Sequence, residues 1–265
     1  MSIDHGAALE RMRSAAPLVQ NITNFVAMNP MANVLLAAGA SPAMVHAEQE
    51  VEEFGQHIAA LTINIGTLTP AWISSMMLAA RTANLNGKPW VLDPVGAGAT
   101  SYRTSTARDL ASLKPTVIRG NASEIMALAG ESASAKGVDA GDAVSAAQTA
   151  ASRLSLATQA IIAVTGPVDL VIAPDGRRAQ IANGHPLMPR VTALGCALTG
   201  IVAAFSATAP DPFEATVSAL TCYAIAGERA ALSASHPGSF YIAFLDALHA
   251  LDADTVNATA TVTLT

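Results

Sequence analysis

The chain has 265 residues, of which 51% are hydrophobic and 13% charged, with a formal net charge of −6 and a sequence pI near 5.4. An acidic balance without a Lys/Arg cluster argues against nucleic acid or an anionic membrane as partner and points to a small molecule. So large an apolar share exceeds what the surface of a monomer needs, which predicts a homo-oligomer. The length fits a single domain over 1–265.

The opening stretch, MSIDHGAALERMRSAAPLVQ, carries charges throughout and lacks the apolar core and cleavage site of a secretory signal, so a cytoplasmic location is expected. Apolar runs such as MANVLLAAGA are too short to span a bilayer. Cys196 and Cys222 match no zinc spacing, and no disulfide is expected between them in a reducing compartment.

Short apolar runs at 43–45, 60–66, 89–95, 116–120 and 160–166 read as strands, most of them separated by helical patterns. This alternation predicts an α/β fold with a mostly parallel central sheet flanked by helices, and ligands in such sheets bind beyond the carboxyl ends of the strands. The segment DLVIAPDGRRAQIANG places Pro174-Asp175-Gly176 between two apolar runs and reads as a hairpin. From Gly195 onward the chain reads as almost wholly helical, broken by Pro/Asp and Pro/Gly pairs. The final stretch, about 252–265, is small, polar and β-branched and is expected to be loose.

Candidate chemistry collects at the predicted strand ends, each residue with a plain structural alternative. Asn24 precedes a helix and Met44 falls in a short strand, so they also fit a cap and a core residue. Asn64, Gly66 and Thr67 end one strand and Asp93 another, where a carboxylate can orient a metal or water or simply cap a turn. In RGNASEIMALAG, Arg119, Asn121 and Glu124 suit phosphates and hydrated Mg²⁺, although a cap at Asn121 or Ser123 with Glu124 in the first turn is a sufficient local explanation. Thr165 and Gly166 end a further strand. In VTALGCALTG, Gly195 and Cys196 open a buried helix, whose free amides bind anions and whose dipole lowers a thiol pKa. The alternative is a small inert core residue. GAGATS lacks the third glycine of a dinucleotide fingerprint, and no Walker A loop occurs.

Taken in order, PLVQNITNFVAMN, LLAAGASPAMV, INIGTL, VLDPVGAGA, IRGNASEIMALAG, AVTG, the Gly-Cys pair, GERA and PGSF resemble the hydroxyethylthiazole kinase family over about 17–250. That resemblance implies a ribokinase-like fold, a homotrimer with active sites between subunits, and Mg²⁺-dependent phosphorylation by ATP of 4-methyl-5-(2-hydroxyethyl)thiazole in thiamine salvage. It further implies that Met44, Asn24, Gly66, Ala193 and Gly195 bind the thiazole side. Arg119, Thr165 and Asn121 would bind ATP, Asp93 and Glu124 would serve the metal, and Cys196 would stand beside the reacting hydroxyl.

Ala193-Leu194 stands where the family usually has Gly-Thr, so a slowed enzyme is expected. The alternatives are a same-fold kinase of another small alcohol, such as a hydroxymethylpyrimidine, and a non-catalytic nucleotide- or thiazole-binding protein.

Overall fold

The computed structural model describes residues 3–131 and 140–265. The first half runs α1 (His5–Ala15), β1 (Leu18–Ile22), α2 (Met28–Ala38), β2 (Ser41–Ala43), α3 (Val51–Phe54), β3 (Ala60–Asn64), α4 (Pro70–Leu85), β4 (Trp90–Asp93), α5 (Ser101–Ala111), β5 (Val117–Asn121) and α6 (Ala122–Leu128). The second half runs α7 (Ala140–Thr158), β6 (Ile161–Thr165), β7 (Asp169–Ile172), β8 (Arg178–Ile181), a 3-10 turn (Met188–Arg190), α8 (Leu194–Ser206), α9 (Pro212–Ala231), α10 (Pro237–Ala250), α11 (Ala253–Thr259) and β9 (Val262–Leu264). The sheet order is β2-β1-β3-β4-β5-β6-β7-β8-β9, parallel from β2 to β6 and antiparallel from β6 to β9.

Strand alternation sorts the core into two layers. Ala60, Val91, Val117 and Ala163 pack with α1, α2, α8, α9 and α10 on one face, whereas Leu61, Leu92, Ile118 and Ile162 pack with α4 to α7 on the other. The same parity settles which strand-end residues share a face. Asn64, Asp93, Arg119 and Thr165 each lie an even number of residues beyond a side chain of the first layer, so they end on the α8 side.

Among the described residues, side-chain caps open six helices: Asp4 for α1, Thr69 with Pro70 for α4, Thr100 for α5, Asn121 for α6, Asp211 with Pro212 for α9 and Asp252 for α11. α8 opens on Ala193 at φ +64° with no side-chain cap, so the amides of its first turn are left for something else.

Three expectations need correction. The strand expected at 43–45 is Ser41–Ala43, which puts Met44 just past its end. β1 was absent from the expected strands because Gln20 and Asn21 break its apolar pattern. Both are fully buried: Gln20 Nε2 donates to the Val45 carbonyl at 3.0 Å, and Asn21 Oδ1 accepts from Thr62 Oγ1 at 2.8 Å. The tail expected to be loose forms α11 and β9, with Ala179↔Leu264 and Ile181↔Val262 in register. Asn183 explains the difference, because its Nδ2 donates to the Thr259 carbonyl at 3.0 Å and its Oδ1 accepts from Thr261 N at 2.7 Å. Gly6 adds to it, since a Cβ there would lie 2.7 Å from the Ala253 carbonyl oxygen.

Candidate active site

The carboxyl ends of β1, β3, β4, β5 and β6 and the start of α8 meet along one edge of the parallel sheet. Register aligns them, with Asn64 opposite Asp93 and Asn121 opposite Thr165.

Asn64 is the hub. Its Nδ2 donates to Asp93 Oδ2 at 2.7 Å, and its Oδ1 accepts from Asn24 Nδ2 and from Gly66 N, each at 2.9 Å. Asn24 Nδ2 also faces the Cys196 Sγ at 3.4 Å. Gly66 permits this closeness, because a Cβ there would come within 2.8 Å of the Asn24 side chain. Met44 stays outside this hydrogen-bonded group. It follows β2, half-buried, and packs against the α8-side core.

Asp93 is fully buried. Its Oδ2 accepts from Asn64 and from Thr199 Oγ1 at 2.9 Å and lies 3.5 Å from Arg119 Nη1, while its Oδ1 has no partner. Burial raises its pKa to about 6 against the lowering pull of Arg119 and the two hydrogen bonds, and nearby Glu124 adds to the rise. Arg119 Nη2 donates to Thr165 Oγ1 at 2.8 Å, and its buried Nε is unpartnered. The guanidinium lies across the start of α8, where a Cβ on Gly195 would sit 3.4 Å from Nη2.

Glu124 forms a capping box with Asn121. Its Oε2 accepts from Asn121 N at 2.9 Å, while Asn121 Oδ1 accepts from Glu124 N at 3.0 Å. The box does more than cap, for Glu124 Oε1 also accepts from Gly96 N at 3.0 Å and ties the loop after β4 to β5.

At α8, Ala197 N donates to the Ala193 carbonyl at 2.8 Å as the first helical bond, which leaves the amides of 194–196 ahead of the ladder. The Tyr223 hydroxyl donates to the Leu194 carbonyl at 2.8 Å and braces that turn. The Leu194 side chain is only 2% exposed and belongs to the core. The expectation that the helix start lowers the Cys196 pKa does not hold. Burial and the Asp93 carboxylate push the thiol up, outweighing Asn24, Asn64 and Arg119. Cys196 is therefore a neutral thiol at neutral pH.

Beside this cluster opens a cleft of about 790 Å³, lined by Arg119, Thr165, Gly195, Leu198 and Tyr223 together with Met188 and its neighbours. Such a volume suits a nucleotide-sized ligand. Among the described residues no group of three or more His, Cys, Asp or Glu side chains forms a metal cage, and no helix is long and apolar enough to cross a membrane. Thr199, Arg103 and the loop around Met188 were not singled out from the sequence. Thr199 alone carried a signal, lying one helical turn after Cys196.

A buried carboxylate, an arginine and an uncapped helix start are grouped at the strand ends of an α/β/α sandwich, the fold of ribokinase-like proteins. The fold agrees with a ribokinase-like superfamily protein from Enterococcus faecalis V583, at a TM-score of 0.64 and 12% identity over 91% of this chain and 88% of that one. The hydroxyethylthiazole kinase family model matches residues 9–254, and the chain belongs to that family.

Relatives named hydroxyethylthiazole kinase include one from Cereibacter sphaeroides, 60% identical over 253 residues and 95% of each chain. Another, from Rhizobium leguminosarum bv. trifolii, is 59% identical over 257 residues and 96% of each. The solved structure of the hydroxyethylthiazole kinase protein from Pyrococcus horikoshii OT3 superposes at a TM-score of 0.91, with 41% identity over 98% of both chains.

Proposed function

We propose that the protein transfers the γ-phosphate of ATP to the hydroxyl of hydroxyethylthiazole in a Mg²⁺-dependent salvage reaction, working in the cytoplasm as a single-domain homotrimer. The observation that carries this reading is the hydrogen-bonded chain Cys196–Asn24–Asn64–Asp93, which sets a polar, side-chain-lined niche beside the uncapped start of α8 and the Arg119 cleft. The high identity to relatives bearing the kinase's name supports the substrate. The 51% hydrophobic composition supports subunit association.

The residues present fit a magnesium ion. Asp93 keeps one buried oxygen without a partner, and a magnesium ion is commonly held by one or two carboxylates together with water and phosphate. Asp93 and Glu124 would hold it, and it would supply neutralisation of phosphate charge.

The chain's own groups do the rest. Arg119, Thr165 and Asn121 bind the nucleotide, and the amides of 194–196 hold the charge that develops on the transferred group. Asn24, Gly66, Ala193, Gly195 and Met44 form the thiazole side. Cys196 positions the hydroxyl with its neutral Sγ; the alcohol oxygen bonds to the γ-phosphorus as ADP leaves, and the hydroxyl proton passes late to a phosphoryl oxygen of the product or to water, as the loose transition state of phosphoryl transfer allows.

A coupled ATP-consumption assay with hydroxyethylthiazole and a hydroxymethylpyrimidine tests the reading. Turnover with the thiazole supports it. Turnover with the pyrimidine alone, or with neither alcohol, overturns it.

A further inference from the structure

Arg103 lies outside the groups assigned above, in the first turn of α5, where its backbone amide donates to the Thr100 cap at 3.2 Å. Its guanidinium reaches back over two strand ends. Nη1 donates to the Ile65 carbonyl at 2.8 Å and to the Val95 carbonyl at 3.1 Å, and Nη2 donates to the Gly66 carbonyl at 2.8 Å. Gly96, at φ +74°, makes room for the side chain, since a Cβ there would stand 3.3 Å from Arg103 Cδ.

The two loops so joined serve different halves of the site. Gly66 N donates to Asn64, which holds Asn24 beside Cys196 on the acceptor side. Gly96 N donates to Glu124 on the phosphate side. β3 and β4 are neighbours, but their register ends at Asn64 and Asp93 and their last backbone bond runs from Ile65 N to the Asp93 carbonyl at 3.2 Å, so past it Gly66 and the 95–96 loop share no strand hydrogen bond that fixes their separation. A guanidinium presents several donors from separate nitrogens in a rigid planar fork and so holds carbonyls of two loops at a fixed spacing, whereas an ammonium donates from a single rotatable nitrogen on a flexible stem.

We propose that Arg103 is a positioning residue for phosphoryl transfer, a latch that sets the spacing between the acceptor pocket at Gly66 and the phosphate-side loop at Gly96. The proposal deepens the reading of the site as a thiazole kinase and rests on it. Each half of the site keeps its own contacts when the latch is lost. The loss therefore falls on the alignment of hydroxyl and phosphate rather than on the binding of either substrate, and a misplacement of about 1 Å can cost about 100-fold in rate.

The experiment compares wild type, Arg103→Ala and Arg103→Lys in kcat and in both KM values, with and without added guanidinium, alongside thermal melting. The expected result for Arg103→Ala is a kcat lower by about 100-fold with both KM values within about threefold, and partial recovery of kcat on adding guanidinium. Arg103→Lys keeps the charge and the stem but loses the fork, so its kcat falls by about tenfold or more. It carries the test if the alanine variant does not fold.

Wild-type turnover on the thiazole alcohol separates the two claims: without it the reading of the site fails, and with it the variants judge the latch. Full kcat in the lysine variant, a rise in KM at unchanged kcat, or a folded alanine variant that guanidinium does not rescue overturns the proposal.

Discussion

Thr199 donates its hydroxyl to Asp93 Oδ2 across 2.9 Å, so the helix that opens with Cys196 also grips the carboxylate at the end of β4. A hydrogen bond to a charged group contributes about 1.5–3 kcal/mol. Thr199→Val keeps the shape and removes the donor. Its kcat should fall by about tenfold or more with the thiazole KM within about threefold, as steady-state kinetics would show. An unchanged kcat would mean that Asp93 needs no such support.

Glu124 gives one carboxylate oxygen to Gly96 N and the other to Asn121 N. Glu124→Gln can satisfy only one of these amides as acceptor and turns an NH₂ group toward the other. It should lower kcat and also melt earlier, with thiazole binding nearly intact, because an unsatisfied amide costs about 1–3 kcal/mol. Lost stability at normal turnover would reduce Glu124 to a cap.

Ala193 holds φ +64° at the start of α8, a conformation that costs an L-residue about 1 kcal/mol relative to glycine. Ala193→Gly should therefore raise the denaturation midpoint without loss of activity. Leu194→Thr should do the reverse for stability, because the leucine is 2% exposed in the core. The sequence-level reason to expect a slowed enzyme thus divides into a strain at 193 and a packing choice at 194. A midpoint unmoved by Ala193→Gly would show that the strain is relaxed in solution.

The pattern of strands and helices was readable where alternation was clean, as in β3 to β6, and failed where buried polar side chains interrupt it, as at Gln20 and Asn21 of β1. The tail misled because its small β-branched residues are exposed along an edge strand, and the partner that fixes them, Asn183, lies far away in sequence. Asp93, Arg119 and Cys196 were legible as separate candidates, each with a plain alternative. Their union through Asn64 was not, since only strand register and parity bring 24, 64, 93 and 196 together. The thiol's raised pKa was hidden for the same reason, because a helix start is visible in sequence and its burial beside a carboxylate is not.

His5 is buried with its Nδ1 3.0 Å from Ser218 Oγ, and burial lowers its pKa below the usual 6.5 although Asp4 opposes the shift. The folded state thus holds its proton less well than the unfolded chain. The stability this neutral side chain contributes is present above the unfolded pKa and is lost as pH falls through the folded one. Between about pH 7 and about pH 5 the wild type should lose more melting temperature than His5→Gln, whose amide does not titrate. Parallel curves for the two proteins would remove His5 from the acid response.

The most direct test of the whole account follows radiolabelled γ-phosphate from ATP onto hydroxyethylthiazole, with and without Mg²⁺, in wild type and Cys196→Ala. The account predicts labelled phosphorylated thiazole from wild type only when Mg²⁺ is present, and a lower kcat with little change in thiazole binding for Cys196→Ala. Label released solely as inorganic phosphate, or a fully active Cys196→Ala enzyme, would contradict it.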